Sequence, residues 1–528
     1  MASSPLNILI VASEVAPFSK TGGLADVTGA LPLELARLGH QVRVVMPRYG
    51  SIDGESFGFK EWTRLTVPTA EGPVPAIIEE GRLSNGSGPG RLHLPVLAIR
   101  HDPFFDRKGL YQEAGIDYPD NLERFAFFCR AVMELLPALH AKANWTPDLL
   151  HAHDWQTALC VVYLKTLYAN HPRLKGIRTL LTIHNLAYQG VFPAIAFRQT
   201  GLNPSLFTPR YLEFYKRVSL LKGGLVFADW LSTVSPTYSR EIQAPEHGCG
   251  LDGVLRERQD RLVGIVNGVD VETWNPATDP FLPSRYSVSD LAGKRACKTA
   301  LQRELDLPEQ DVPLIGLVSR LAQQKGLDLV AECLPDLMAL DLQIVLLGTG
   351  DPLLEAWFQS LRDQFPQRIG LRLAFDEGLA HRIEAGSDIF VMPSRYEPCG
   401  LNQLYSLRYG TIPVVRRTGG LADTVTPYSP QTIRAGNATG FRFGEATAED
   451  LLTSLLLALR VYTDREPWQS MMQAGMRTEM SWTKPGEAYA GLYRQVLETR
   501  PVAISRRGVK AVGTARPGSK RKPGGRRR

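Results

Sequence analysis

No apolar run in this 528-residue chain approaches the roughly 18 uninterrupted residues of a membrane helix. The amino terminus lacks the basic start and apolar core of a signal peptide, and no Arg- and Ser-rich transit segment follows, so a cytoplasmic location is the expectation. The six cysteines (Cys129, Cys160, Cys249, Cys297, Cys333, Cys399) contain no CxxC pair and match no zinc spacing. Most are expected as small buried hydrophobes, and only Cys399 stands in a motif of interest. No GxGxxG follows the first apolar strand, which disfavours a nucleotide-dependent oxidoreductase. Acidic residues are missing from the end of the chain. From Arg506 onward ten residues are basic and none is acidic, so the net +6 becomes −4 once those ten are set aside. This Gly/Pro/Lys/Arg-rich tail has no apolar period and is expected to be disordered. Nonspecific contact with nucleic acid or another acidic partner is open to it, as is simple solvation.

With 44% hydrophobic and 22% charged residues, the remainder has the composition of an ordinary globular protein that is too long for one core. Strand and helix patterns alternate. The run from Asn7 to Ala12, a helical pattern from Val27 to Leu38 and a second strand from Gln41 to Met46 make a βαβ unit. Between Gly50 and Arg100 strands and turns alternate, with a plain loop over residues 84–90, and a helix is expected over residues 121–136. The pattern restarts near Asn267-Gly268-Val269-Asp270, ahead of a Pro-rich stretch. Strands are then expected over residues 314–318, 343–347, 371–375, 389–392 and 412–415, with a helix from Lys325 and a last one over 488–499. The fold class is therefore α/β: two Rossmann-like, doubly wound domains in series, facing one deep cleft. The boundaries are residues 1–265 and 266–483, then a terminal helix over 484–500 packing back on the first domain, and the tail from 501 to 528.

One hexapeptide, Thr-Gly-Gly-Leu-Ala-Asp, occurs twice, behind Lys20 and behind Arg417. Each copy reads as a strand, a basic residue, a Gly-Gly turn and a helix entrance. Glycines leave backbone N–H groups uncovered, and a helix start favours negative charge, so Gly22-Gly23 and Thr418-Gly419-Gly420 are expected as anion cradles. The copies are not topologically equivalent: the first follows the opening strand of its domain, the second a late one.

Other candidates sit at the carboxyl ends of strands, where open α/β sheets bind ligands. His151-Ala152-His153-Asp154-Trp155 ends one strand and His184-Asn185-Leu186-Ala187-Tyr188-Gln189-Gly190 the next. Single histidines there are often structural, but three with an aspartate point to at least one functional role. Arg320 and Lys325 put two cations in one loop at a helix start, a clamp for a diphosphate whose charge rises as its bond breaks. Gly348-Thr349-Gly350-Asp351 closes the following strand and is expected to line the same cleft. Glu397, held between Tyr396 and Pro398-Cys399-Gly400, is suited to accept from sugar hydroxyls or to stabilise a positive sugar transition state; a helix cap is the structural alternative.

These pieces, in one order from about Leu6 to Val496, closely resemble the bacterial glycogen synthases and plant starch synthases. That family comprises retaining, ADP-glucose-dependent glucosyltransferases (family 5) of the two-Rossmann, GT-B fold. The resemblance implies transfer of glucose from ADP-glucose to the non-reducing end of an α-1,4-glucan, with the glucan on the amino-terminal domain and the donor on the carboxyl-terminal one. It implies catalytic roles for Glu397, His184, Arg320, Lys325 and Asp154. Donor and sugar contacts are implied for Lys20, Gly22, Gly23, Asn267, Gly350, Phe375, Cys399, Gly400, Leu401, Tyr405, Thr418, Gly419 and Gly420, with Phe375 placed against adenine. No metal or other cofactor is expected, and no membrane partner. One departure narrows the match: many retaining GT-B enzymes carry a second Glu eight positions after the first, usually on the ribose, and here Tyr405 stands there, as in the glycogen synthase branch. A UDP-glucose- or sucrose-using transferase and an inactive glucan-binding scaffold are the rival readings.

Overall fold

The computed structural model describes residues 4–84 and 92–502. Residues 85–90 of the expected loop and the tail from 503 lie outside them. Nine strands form the first sheet: β1 Asn7–Val11, β2 Gln41–Pro47, β3 Lys60–Thr69, β4 Gly72–Ser84, β5 His93–Arg100, β6 Leu149–His153, β7 Arg178–Ile183, β8 Trp230–Thr233 and β9 Leu262–Gly264. Their order is β9-β8-β7-β6-β1-β2-β5-β4-β3, parallel throughout except at the β5-β4-β3 edge. The second sheet has β10 Leu314–Val318, β11 Gln343–Leu347, β12 Ile369–Arg372, β13 Ile389–Met392, β14 Ile412–Arg416 and β15 Phe441–Phe443. It is fully parallel, in the order β12-β11-β10-β13-β14-β15.

Strands such as Ile8–Val11 and Ile344–Leu347 read as unbroken apolar runs because helices cover both faces of a parallel sheet. Only the antiparallel edge, where β3 is mostly exposed, carries mixed polar sequence. Among the parallel strands of each sheet the order reverses once. The reversal lies between β1 and β6 in the first and between β10 and β13 in the second. Loops leaving neighbouring strands there diverge to opposite faces and open a crevice at the carboxyl ends.

Several expected boundaries move, among them the helix over 121–136, which runs Asn121–Ala143, and the last helix, which runs Thr483–Glu498. The strand over 371–375 is instead Ile369–Arg372, because Asp376 caps the helix Glu377–Gly386 and leaves residues 373–375 as a connecting loop. Lys325 lies in a short 3-10 turn, Gln323–Lys325, and the helix proper is Leu327–Met338. The first hexapeptide does not follow its strand directly, since residues 12–22 form a looped segment between Val11 and the helix Gly23–Arg37.

The last helix, Thr483–Glu498, belongs physically to the first domain. Its Tyr489, Leu492, Tyr493 and Val496 lie in the core of that domain. Tyr493 Oη is 2.9 Å from His151 Nδ1, Arg178 donates to the Val496 and Thr499 carbonyls, and Trp230 Nε1 donates to Thr499 Oγ1 at 2.9 Å. Beside it the two crossings between domains touch, with Val269 N donating to the Met480 carbonyl at 2.8 Å. Among the described residues no helix is long and apolar enough to cross a membrane. Tyr493→Phe removes one buried hydrogen bond, so it should cost about 1 kcal/mol. A thermal melt should then show the midpoint of the first domain falling by roughly 1–2 °C.

Candidate active site

In the second sheet, the loops after β10 and β13 meet at the reversal. Gly326 takes φ +66°, and a Cβ there would lie 2.1 Å from the Pro393 carbonyl oxygen, so only glycine lets the turn reach the segment after β13. That approach brings Lys325 Nζ to 2.6 Å from Glu397 Oε2, which also accepts from Ser394 Oγ at 2.9 Å. Glu397 is buried, and the cap of the following helix Asn402–Arg408 is Leu401, so Glu397 is not a helix cap. Arg320 stays exposed, its Nη1 3.4 Å from Tyr188 Oη of the other domain. Cationic and carboxylate groups therefore share one crevice.

The facing crevice, at the β1/β6 reversal, is lined by imidazoles and carboxylates. His153 Nδ1 is 2.9 Å from His184 Nε2, and the ring centroids of His151 and His153 lie 4.1 Å apart with the rings tilted by 35°. His151 Nε2 meets Thr182 Oγ1 at 2.5 Å, and Thr182 meets Ser232 Oγ at 2.6 Å. Asp154 sits at φ +55°, a left-handed conformation that costs an L-residue about 1–2 kcal/mol. This aims its carboxylate at the next strand end, where it accepts from His184 N at 2.7 Å. Burial pushes Asp154 up to about 7, against the backbone N–H groups of His184 and Asn185, which favour its ionised form. Burial also pushes His151 and His184 down to about 3 and His153 well below its ordinary value. All three imidazoles are neutral, so they act as hydrogen-bonding groups.

Lys20 is half-exposed and ion-paired with Asp26 at 2.6 Å. Gly22 and Gly23 are exposed at the entrance of the helix Gly23–Arg37, with Leu401 of the other domain opposite Gly23. A protein carboxylate occupies the second cradle, whereas the carboxylate near the first binds Thr21 and leaves Gly22 and Gly23 exposed. Glu14 accepts from Thr21 N at 2.5 Å, Thr21 Oγ1 at 2.7 Å and Tyr111 Oη at 2.7 Å. Glu241 of the first domain accepts from Thr418 Oγ1 at 3.1 Å and from Gly419 N at 3.1 Å. Gly420 N donates to the Glu397 carbonyl at 3.2 Å. A Cβ on Gly419 would stand 1.9 Å from that carbonyl oxygen, so the second Gly-Gly is fitted to the backbone of the Glu397 loop.

Tyr405 is buried, its ring stacked on Trp274 at 3.6 Å, and Trp274 stacks on His381 at 3.8 Å. Asp279 fixes that stack by accepting from His381 Nδ1 at 2.7 Å and Tyr409 Oη at 2.5 Å. Cys399 is buried and its thiol is pushed up to about 12 by burial, so it is no nucleophile. Cys249 is the exposed cysteine. Gly400 (φ +73°) and Leu401 continue the Glu397 loop, and Asn267, also buried, reaches Cys399 through its backbone N–H. Gly350 N donates to Glu355 Oε1 at 2.8 Å on the rim, and Phe375 is 89% exposed on the loop after β12. Reading strand ends alone missed Glu14, Ser394 and Glu241. Glu14 lies three residues beyond β1, so the reversal of strand order is the signal that finds it.

Residues 7–257 match the family described as starch synthase catalytic domain, and residues 299–469 match glycosyl transferases group 1. A glycogen synthase of Anaeromyxobacter dehalogenans (strain 2CP-C) is 50% identical over 491 residues, covering 93% of this chain and 99% of that protein. The chain belongs to the glycogen and starch synthase family. Glycogen synthase 2 of Geobacter sulfurreducens is 46% identical over 94% of this chain and 100% of its own length. Among solved structures, the catalytic domain of starch synthase IV from Arabidopsis thaliana, bound to ADP and acarbose, superposes with a TM-score of 0.85. It is 34% identical, covering 94% of this chain and 100% of that one. A sucrose-phosphate synthase from Thermosynechococcus elongatus shares the fold alone, at TM-score 0.54 and 17% identity. The chain is accordingly a GT-B glycosyltransferase of glycogen or starch synthesis.

The neutral imidazoles of this glycogen and starch synthase site carry a pH signature. His151 and His184 have folded pKa values near 3, below the unfolded value of 6.5, so their contribution is full above pH 6.5 and is lost as pH falls toward 3. Asp154 runs the other way, its contribution full below pH 3.8 and lost as pH rises through about 7. In urea melts, His151→Asn should remove about 1.4 kcal/mol per pH unit from the acid-side slope between pH 4 and 6. An unchanged slope would show that His151 is protonated in the folded protein.

Proposed function

We propose that the chain transfers glucose from ADP-glucose to the non-reducing end of an α-1,4-glucan, retaining the anomeric configuration and releasing ADP. One observation carries this reading: the Lys325–Glu397 pair at one strand-order reversal, with Arg320 beside it and the His184–Asp154 cluster across the cleft. A diphosphate and a sugar need that combination of fixed cations, a carboxylate and neutral hydrogen-bonding groups. The ADP and acarbose bound by the starch synthase IV catalytic domain are ligands of the same two kinds, a nucleoside diphosphate and a sugar.

Arg320 and Lys325 hold the diphosphate. As the bond from C1 to the β-phosphate oxygen breaks, charge collects on that oxygen and the two cations stabilise it. The acceptor 4-hydroxyl approaches C1 on the same face, forms the new C1–O bond, and passes its proton to the departing phosphate oxygen. Glu397 faces the sugar and offsets the positive charge of its oxocarbenium-like state. Neutral His184, held by His153 and by Asp154 through its backbone, offers hydrogen bonds to the sugar hydroxyls. Lys20 reaches the donor on domain closure, exchanging Asp26 for phosphate. The aromatic face of Phe375 is offered to adenine. Arg320 and Lys325 supply the positive charge that a metal would otherwise bring, so the scheme needs no metal.

The test measures ADP or UDP released from ADP-glucose and UDP-glucose in the presence of glycogen. ADP-glucose should be turned over at least tenfold faster, and glycogen binding without release of either nucleotide would favour a scaffold instead. Lys325→Ala and Arg320→Ala should each lower kcat by roughly 10²-fold or more, the size of losing one oxyanion donor. Lys20→Ala should act mainly on the KM for ADP-glucose; a KM within the range of surface variants would remove Lys20 from the donor site.

A further inference from the structure

The helix Pro236–Glu241 of the first domain and the helix Gly419–Thr424 of the second meet across the domain boundary, and each carries in its last turn a carboxylate bound at the start of the other. Glu241 accepts from Thr418 Oγ1 (3.1 and 3.2 Å to its two oxygens) and from Gly419 N (3.1 Å to both). Asp423 returns the contact. It accepts from Ser235 Oγ at 2.6 Å, Thr237 N at 2.9 Å and Thr237 Oγ1 at 2.6 Å. The partners lie 177–188 residues apart. Each carboxylate meets backbone N–H groups left open at a helix start, where negative charge is favoured. Arg416 adds positive charge next to Glu241, and Arg442 and Arg417 lie on the same side near Asp423.

The joint runs straight into the site. Gly419 receives Glu241 on its N–H while its Cα presses on the Glu397 carbonyl, and Gly420 N donates to that carbonyl at 3.2 Å. Only two peptide units therefore separate a carboxylate of one domain from the backbone of the catalytic carboxylate of the other.

We propose that Glu241 and Asp423 form a reciprocal interdomain latch, and that Glu241 is a positioning residue. It registers the closed arrangement of the domains and fixes the Glu397 loop for transfer. The proposal rests on the glucosyltransferase reading only for its kinetic readout. Both hydrogen-bond sets form only when the two helices are in register, so domain opening that separates them breaks both. The energy of the latch thus favours the closed form, in which water is excluded from the sugar.

The test compares wild type, Glu241→Ala, Glu241→Gln, Asp423→Ala and the double alanine variant as full chains. Expected is a kcat about tenfold lower for Glu241→Ala, with KM for ADP-glucose within twofold of wild type. Glu241→Gln should recover most of the rate, because its carbonyl still accepts from Gly419 N. The double variant should be little worse than the poorer single one, since one joint is lost in either case. Small-angle scattering with ADP present should show a larger radius of gyration for Glu241→Ala than for wild type, a readout that needs no turnover. A lower KM with undiminished kcat would overturn the latch and make Glu241 a plug that competes with the donor. A lowered melting temperature with kcat and radius unchanged would also overturn it, leaving a purely structural contact. A wild type inactive on ADP-glucose whose radius still responds to Glu241→Ala would support the latch and remove only the substrate reading.

Discussion

The contact on which the cleft depends is the ion pair between Lys325 and Glu397. Two opposite charges at 2.6 Å in a largely buried crevice stabilise one another only while nothing better is offered. Removing either partner would strand the other in a poor solvent, so the pair holds the loops after β10 and β13 together. On the proposed reading, an incoming diphosphate would compete for the ammonium and leave Glu397 to the sugar. Gly326 and Gly420 are the backbone positions that bring the participants near enough.

The strands were legible because parallel sheets covered on both sides demand continuous apolar runs, and such runs stand out in Ile8–Val11 or Leu314–Val318. Candidate residues at or shortly beyond the ends of those runs stood out for the same reason: Asp154 and His184 directly after theirs, Arg320 two residues and Glu397 five residues beyond. The hidden part is what depends on contacts between distant segments. Glu241 looks like any helix residue until its bond with Gly419, 178 residues later, is seen. Nothing around Trp274 announces that it will lie between Tyr405 and His381. The doubled hexapeptide is not doubled in its contacts. Glu241 of the other domain accepts from Gly419 N, whereas Glu14 accepts from Thr21 N and leaves Gly22 and Gly23 exposed at their helix entrance.

Tyr405 shows how a substitution within a common plan can be absorbed. An acidic group at this position would have to be solvated or bound to something in the cleft. The phenol ring instead joins a stack that ends on Asp279, tying the helix Asn402–Arg408 to the segment that leaves the first domain. Movement of that segment is then felt by the helix directly behind the Glu397 loop. Tyr405–Trp274 on one side and Glu241–Gly419 on the other approach this loop from separate elements, and both connect it to parts of the chain that shift when the domains move.

The placement of the final helix has a bearing on synthesis. Tyr489 and Tyr493 fill the core of the first domain, and Tyr493 meets His151 across 342 residues of sequence. A ribosome delivers the first sheet long before it delivers that helix. The nascent amino-terminal half must therefore wait, with part of its apolar surface and the His151 ring uncovered, until the second domain has emerged and the chain has returned. Such delayed completion lengthens the period during which exposed hydrophobic surface invites aggregation or chaperone binding. It also makes the enzyme indivisible: a carboxyl-terminal truncation takes its heaviest toll on the domain at the opposite end of the gene.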